Sequence, residues 1–267
     1  GTAAARSRLS YSNYGSRVDV QGWGENVVTT GGGTSLELSG FPLPQYMRYN
    51  ELYQNFAGTS SASAVVAGVT AGVSSAHFAA SGSPASPEIV RKALRTSGLP
   101  QQPSTPGAPL SGLIGPLPDA VAAFQSLPST YCTATPTPGG CVPTIGWADV
   151  PTLTPSLGLQ FQVFAQQVAN NRAGFLLLGR AGGTGTLLGG TLCALQRFTT
   201  VSFATSGGTV APTADCTGTY TFNVNTLIQS GTQPALGLRQ VVYAQYWQRH
   251  PGNVGASTPG LRFTVLE

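Results

Sequence analysis

The feature that most constrains this chain is a block of small residues at 57–68, Ala-Gly-Thr-Ser-Ser-Ala-Ser-Ala-Val-Val-Ala-Gly. A Gly-Thr-Ser turn runs directly into an apolar segment without charged residues, which predicts a helix over Ala62–Ala76 that is buried on all sides. Gly58 permits a sharp turn, so Ser60 stands at the N-terminus of that helix. Because unpaired N–H groups and the helix dipole favour negative charge there, the pattern indicates a serine presented as a nucleophile.

A helix cap is the alternative interpretation of the same residues. A serine or threonine before a helix commonly does no more than cap it, with a stabilisation of about 1 kcal/mol, and short motifs often match by chance. The flanking residues favour the nucleophile, because the block resembles the serine motif of subtilisin-like serine peptidases, Gly-Thr-Ser-x-Ala-x-Pro followed by Val-Ala-Gly. The matching positions are Gly58, Thr59, Ser60, Ala62, Val66, Ala67 and Gly68. Ala64 replaces the proline, which a first helical turn tolerates but does not require.

Two further segments extend the resemblance. Residues 10–24, Ser-Tyr-Ser-Asn-Tyr-Gly-Ser-Arg-Val-Asp-Val-Gln-Gly-Trp-Gly, are similar to a stretch upstream of the serine in that family, with Gly22 and Trp23 in place of an Ala-Pro pair. Ser86-Pro87-Glu88 predicts the start of a helix that ends near Gly98, and a helix follows the serine helix in the family as well. The resemblance spans about residues 7–127. It implies an α/β fold, the C-terminal part of a parallel-sheet catalytic domain.

The resemblance also implies a triad of Asp, His and Ser in that chain order. Its serine corresponds to Ser60, and its elbow and oxyanion site to Gly58, Thr59 and Ser60. Both histidines of the chain, His77 and His250, come after Ser60. His77 lies about 25 Å further along the predicted helix at 1.5 Å per residue, which excludes it as the base. His250 is expected in a loop of a different domain.

The remaining triad and oxyanion groups are expected outside this chain. Asp19 resembles the structural aspartate of the family and not the catalytic one. Asn13 and Asn26 lie in the wrong motif contexts for the oxyanion asparagine. We therefore expect an N-terminal segment of the same precursor, cut before Gly1, to carry Asp, His and Asn. A parallel half-sheet exposes apolar faces and unpaired edges, so that fragment is an expected partner besides the protein or peptide substrate.

The composition argues against several other classes of partner. Hydrophobic residues make up 41% of the chain and charged residues 8%, a combination that excludes disorder. The net charge is +4, but the basic residues, all arginine except Lys92, are scattered, which argues against nucleic-acid binding. The sequence contains no run of 18 apolar residues, so it predicts no membrane span. No cofactor is expected; a structural calcium ion is compatible with the resemblance but is not indicated by the sequence.

Four cysteines, Cys132, Cys141, Cys193 and Cys216, all follow the predicted catalytic part. They allow three pairings. We favour Cys132–Cys141, which closes a Pro/Gly-rich loop, together with Cys193–Cys216, which joins two predicted strands. Metal binding is not indicated, because closely spaced pairs and histidine partners are missing from the pattern. Disulfides place the protein outside the cell or in the periplasm, and the arginine bias is associated with a bacterial source.

Composition also divides the chain. We predict a catalytic portion at 1–127, a Pro/Thr/Gly linker at 128–144 and an accessory antiparallel β-sandwich at 145–267. The predicted strands of the last part are Leu157–Gln167, Gly174–Arg180, Thr191–Phe203, Thr217–Leu227, Arg239–Arg249 and Leu261–Leu266.

Two local patterns in the last part have alternative interpretations. Tyr243, Tyr246 and Trp247 favour packing within the sandwich, the alternative being a binding platform for sugar or protein. The Gly182-Gly183-Thr184-Gly185 run predicts a hairpin turn, because no helix pattern follows it as a phosphate-binding loop requires.

Two functions from different classes follow. The first is an extracellular serine endopeptidase of which this is the nucleophile-bearing chain. The second is a non-catalytic secreted binding or scaffolding protein built on a degenerate subtilisin-like fragment and a β-sandwich. The intact Gly-Thr-Ser elbow favours the first, because a disused active site would be free to lose it.

Overall fold

The computed structural model describes residues 6–30, 52–155, 160–210 and 214–267. The chain forms two compact units. The first consists of Gly1–Ser74 and Ser97–Ala123, and the second of Ser75–Thr96 and Phe124–Glu267. The division does not follow chain order, because the residues between Ser74 and Ser97 group with the C-terminal half.

The first half of the chain is mainly helical. Its elements are the strands β1 (Val27–Thr30) and β2 (Leu52–Phe56) and the helices α1 (Thr59–Ser81), α2 (Pro87–Ser97) and α3 (Ala120–Ser126). β1 and β2 pair antiparallel, with Val27 opposite Phe56. Within the residues that the structure describes, this pair is the only sheet of the first unit, so the predicted parallel sheet is not seen there.

Helix α1 begins at the predicted place but is not buried on all sides. Of its residues, Ser61, Val73 and His77 are buried, whereas Phe78 is 55% exposed. The prediction of an all-round buried helix is therefore wrong for this chain, because the described residues cover part of the helix surface only. With 23 residues and a mean hydropathy of 1.3 over its most apolar 18-residue window, α1 is also long and apolar enough to cross a membrane. By length and composition alone, this finding runs against the expectation of no candidate span.

Residues 124–267 are rich in β-structure. The strands are β3 (Ser129–Tyr131), β4 (Thr144–Ala148), β5 (Gln162–Val168), β6 (Gly174–Leu187), β7 (Gly190–Phe203), β8 (Gly218–Asn223), β9 (Val241–His250), β10 (Val254–Ser257) and β11 (Gly260–Thr264), and one short helix is α4 (Asn225–Gln229). One sheet has the order β3-β11-β9-β6-β7, with β10 also paired to β9, and a second has the order β4-β5-β8. Neighbouring strands in both sheets run antiparallel.

The two sheets share one hydrophobic core. Val163 of β5 is clustered there with Leu178 of β6 and Phe263 of β11, and all three are fully buried. Tyr246 of β9 joins the same cluster, and its hydroxyl donates a hydrogen bond to the carbonyl of Val163 at 2.7 Å. Because Tyr246 and Val163 lie in different sheets, this bond ties the two layers together.

The predicted strands at 191–203, 239–249 and 261–266 are confirmed with small shifts at their ends, and the one at 174–180 is confirmed but continues to Leu187. The one at 157–167 corresponds to β5, although residues 157–159 lie outside the described residues. The one at 217–227 ends earlier, where α4 begins. The short strands β3, β4 and β10 were not predicted, since segments of three to five residues carry little alternating pattern.

The glycine-rich run at 182–185 is not a turn. It lies inside β6, where the pairing register with β7 shifts between Gly182 and Gly185. The reversal occurs later, at Leu188 and Gly189, whose φ angles of 46° and 76° are both positive. Two successive residues with positive φ suit the twist of a two-residue hairpin. Gly182 instead makes room for an aromatic ring, because a Cβ there would lie 2.5 Å from the Tyr243 side chain.

The aromatic residues of β9 pack rather than form a platform. Tyr246 and Trp247 are each 1% exposed. Trp247 stacks on Phe175 with ring centroids 6.4 Å apart, and Tyr243 meets the ring of Tyr131 edge-on at 5.5 Å. The packing interpretation of these residues is confirmed.

Helix α2 belongs to the second unit, although the sequence predicts it as part of the catalytic portion. It starts as predicted, with the Ser86 hydroxyl accepting a hydrogen bond from the Ile89 N–H at 3.3 Å. The buried Lys92 ammonium donates to the Glu267 carbonyl at 2.7 Å and to the Thr154 hydroxyl at 3.0 Å. Burial lowers the pKa of Lys92. These contacts anchor α2 to residues that are distant in sequence.

The four cysteines form two disulfides, but the favoured pairing of Cys132 with Cys141 and of Cys193 with Cys216 is wrong. The bridges are Cys132–Cys193 and Cys141–Cys216, with Cα atoms 6.3 and 5.5 Å apart. The residues around Cys141 close their own turn through the hydrogen bond from the Thr137 N–H to the Cys141 carbonyl at 2.8 Å. The Tyr131 hydroxyl bonds the Cys193 carbonyl at 2.8 Å, which brings Cys132 beside β7.

The segment predicted as a linker therefore contributes β3 and two bridged cysteines to the second unit. Both bridges tie this segment to residues at least 61 positions away. It is a structural part of that unit and not a free spacer.

We expect the double substitution Cys141→Ala with Cys216→Ala to destabilise the second unit strongly. The bridge spans 75 residues, and restricting a loop of that size in the unfolded chain stabilises by roughly 4 kcal/mol in the chain-entropy description. Urea unfolding of the variant against the parent protein measures the loss. Non-reducing peptide mapping of the parent protein should recover Cys132 linked to Cys193, and a Cys132–Cys141 peptide would contradict the assignment.

Candidate active site

The Gly-Thr-Ser turn presents Ser60 at the start of α1. Thr59 and Ser60 are both exposed. Gly58 has a φ of +110°, a conformation that side-chain-bearing residues rarely adopt. Its carbonyl accepts hydrogen bonds from the N–H groups of Ser61 and Ala62, at 3.1 and 3.3 Å. The turn therefore closes onto the first turn of the helix, with the Ser60 side chain on the solvent side.

The segment Gly22-Trp23-Gly24 holds this turn from the other side. The Gly58 N–H donates to the Gly24 carbonyl at 2.8 Å. The hydroxyl of the buried Ser61 donates to the Trp23 carbonyl at 2.8 Å. Gly22 approaches so closely that a Cβ on it would lie 2.4 Å from the Ala62 carbonyl oxygen. A site role for Ser61 or Gly22 was not predicted from the sequence. Both are small residues next to the motif, and that position is the signal that could have identified them.

Two cavities adjoin the start of α1 within the first unit. One of about 160 Å³ is lined by Gly58 and Thr59 together with Tyr11 and Trp23. The other, of about 350 Å³, is lined by Thr59, Ser63 and Val66. Tyr11 and Trp23 are about half exposed. The helix start therefore offers concave surface with aromatic side chains at the rim, next to the exposed serine.

The residues that the sequence excludes as triad or oxyanion groups have the following environments in the structure. Asn26 lines the smaller cavity and Asn13 the larger one. The Asp19 carbonyl lies against Gly115, where a Cβ would be 2.2 Å from its oxygen. His77 is buried at the far end of α1, with Nδ1 3.0 Å from the Ser83 carbonyl. His250 ends β9 in the second unit. No histidine is among the described residues that line the two cavities.

Metal ligation is not found in the described part of the chain, where no three His, Cys, Asp or Glu side chains come together to hold an ion. The chemistry available at Ser60 is therefore that of a hydroxyl next to a helix N-terminus. Such a position stabilises negative charge that develops on or near the hydroxyl. Removing its proton requires a base.

A sharp glycine turn that places an exposed serine at the N-terminus of a helix is typical of nucleophiles in serine hydrolases. Residues 2–112 match the subtilase family of peptidases. This match supports a subtilisin-like family member over that part of the chain, in agreement with the resemblance of its serine motif. Residues 113–267, which include all four cysteines, lie outside the match. Among curated proteins, no sequence matches the chain.

We expect His250 to make the second unit lose stability in mild acid. It is 8% exposed, and burial, with a smaller contribution from Arg172, lowers the pKa of its imidazole. The unfolded chain, with a histidine pKa of about 6.5, then binds more protons than the folded one just below that pH. The free energy of unfolding is unaffected above the unfolded pKa and falls as the pH drops below it, and the loss is complete once the pH has fallen through the folded pKa.

Urea unfolding of the parent protein and of His250→Gln at about pH 7.5 and about pH 5.5 measures this effect. The free energy of unfolding should fall more in the parent protein than in the variant. An equal fall in both proteins would assign the pH dependence to other groups.

Proposed function

We propose that this chain is the nucleophile-bearing part of a secreted serine endopeptidase. Ser60 attacks a peptide carbonyl, and a histidine carried by another segment of the same precursor accepts its proton. An aspartate of that segment orients the histidine, while the Ser60 N–H and an asparagine amide hold the oxyanion. The observation that carries the proposal is the exposed Ser60 on the first turn of α1, within the part that matches the subtilase family.

The proposed companion segment accounts for two properties of the chain. Of the two histidines of the chain, His77 is buried at the far end of α1 and His250 ends β9 in the second unit. Apolar side chains of α1, such as Val65, Val66 and Val69, are incompletely buried. Additional parallel strands would cover them, and burial of such a side chain is worth roughly 1.5–3 kcal/mol. Under this proposal, residues 1–127 complete a subtilisin-like domain only with their partner, and residues 145–267 form an accessory β-sandwich.

An extracellular or periplasmic location fits the two disulfides, because thiols remain reduced in the cytosol of most organisms. The substrate is a protein or peptide, as for a peptidase family in general. A bacterial source and removal of the N-terminal segment by processing are parts of the same proposal.

A non-catalytic binding or scaffolding protein is the second candidate. The observation in its favour is that no histidine is among the described residues lining the two cavities at the start of α1. The two candidates differ in the reactivity of one hydroxyl. In a peptidase the Ser60 hydroxyl reacts with a fluorophosphonate, whereas in a scaffold it behaves like any exposed serine.

We expect Ser60→Ala, made in the full precursor, to abolish proteolysis and leave folding intact. Loss of the nucleophile lowers kcat by about 10⁶-fold in a well-measured serine peptidase. Ser75→Ala, at another exposed position of α1, is the matched control and should keep full activity. Hydrolysis of a denatured protein substrate and fluorophosphonate labelling provide the readouts. Proteolysis that survives in Ser60→Ala would rule out this nucleophile.

We also expect residues 1–267 to need the companion segment for a stable first unit. Produced alone, they should give a folded second unit attached to a first unit that aggregates or lacks cooperative unfolding. Co-production with the upstream part of the precursor should recover a soluble complex. Size-exclusion chromatography and hydrogen exchange of α1 measure the difference. A monomer of residues 1–267 that unfolds cooperatively as a whole would be incompatible with this expectation.

A further inference from the structure

We propose that Ser61 is a positioning residue that fixes the direction in which Ser60 points. The inference rests on the proposed function, since it concerns the same nucleophile. It starts from the second hydroxyl of the Gly-Thr-Ser-Ser sequence, which is 1% exposed although the rest of this turn faces solvent. The Ser61 hydroxyl donates to the backbone carbonyl of Trp23 at 2.8 Å.

Helix geometry makes this contact relevant to Ser60. Successive residues of an α-helix are rotated by about 100°, so the side chains of Ser60 and Ser61 leave the first turn in different directions. Ser61 points to the Gly22-Trp23-Gly24 segment and Ser60 to solvent. A rotation of the turn that moved the Ser60 hydroxyl would also pull the Ser61 hydroxyl from its acceptor.

Two backbone contacts bracket the same turn. Before Ser60, the Gly58 N–H donates to the Gly24 carbonyl at 2.8 Å. After Ser61, Gly22 lies so near the Ala62 carbonyl that a side chain there would overlap it. The Ser61 bond is the only one of the three made by a side chain. It can therefore be removed without altering the backbone chemistry of the turn.

Trp23, which accepts the Ser61 hydrogen bond, also belongs to the cavity beside Ser60. It accepts the hydrogen bond of the Ser61 hydroxyl with its carbonyl, and it is also one of the residues that line the 160 Å³ cavity, together with Thr59. The neighbouring Ser63 differs, because its hydroxyl bonds back to the Ser60 carbonyl within the helix, at 3.0 Å. Ser61 thus fixes the nucleophile relative to the cavity wall, and a misplacement of about 1 Å can cost about 10²-fold in rate.

The test is a series of substitutions in the full precursor. Ser61→Ala should lower kcat by about 10- to 100-fold with KM within about twofold, because substrate contacts remain while the attack geometry loosens. The rate of fluorophosphonate labelling of Ser60 should fall in parallel. Ser61→Thr keeps the hydroxyl donor and should retain kcat within about threefold. Ser75→Ala is the matched control on the same helix and should match the parent protein.

The outcomes separate this inference from the proposed function. Parental kcat in Ser61→Ala, or an equal loss in Ser61→Ala and Ser61→Thr, would overturn the positioning role and leave the peptidase assignment intact. If Ser61→Ala does not fold, Ser61→Cys decides, since its thiol is a similar size but a weaker donor: a reduced kcat supports the role and a parental kcat refutes it. A parent protein without Ser60-dependent turnover or labelling would defeat both.

Discussion

The contact between the Gly22-Trp23-Gly24 segment and the first turn of α1 is the constraint on which the candidate site depends. Two hydrogen bonds, Gly58 to Gly24 and Ser61 to Trp23, join the two segments at 2.8 Å each. Both acceptors are backbone carbonyls, whose positions vary less than those of side chains. The exposed serine thus sits on a turn held by one backbone and one side-chain hydrogen bond, and such supporting bonds are how precise sites are commonly held.

The two units bury their apolar surface to different degrees. In the second, two sheets close around a common core, two disulfides connect distant segments, and Lys92 and Glu267 join α2 to the rest. In the first, the described residues leave much of α1 uncovered. A sheet face or apolar helix gains stability only when a second layer covers it. In the part of the first unit that the structure describes, α1 lacks such a layer over much of its surface.

The sequence predicted many of the local elements well and the long-range contacts poorly. The start of α1, the cap of α2 at Ser86 and most strands follow from local patterns, namely turn residues, small-residue runs and alternation. The cysteine pairing does not, because loop size alone cannot show that Tyr131 brings Cys132 to β7. The role of Ser61 was also invisible, since its acceptor is a carbonyl 38 positions away. The choice between packing and a binding platform for Trp247 depends on how deeply it is buried, and that is known only once the strands are paired.

The anchoring of α2 has a consequence for the order in which the chain folds. The bond between the Lys92 ammonium and the Glu267 carbonyl spans 175 positions. During synthesis, which proceeds from the N-terminus, α2 cannot obtain this partner until Glu267 has left the ribosome. Of the two partners of Lys92, Thr154 is made early in the β-rich part and Glu267 only after it. The anchoring of the helix that follows the serine helix is therefore complete only once the whole β-rich part has been made.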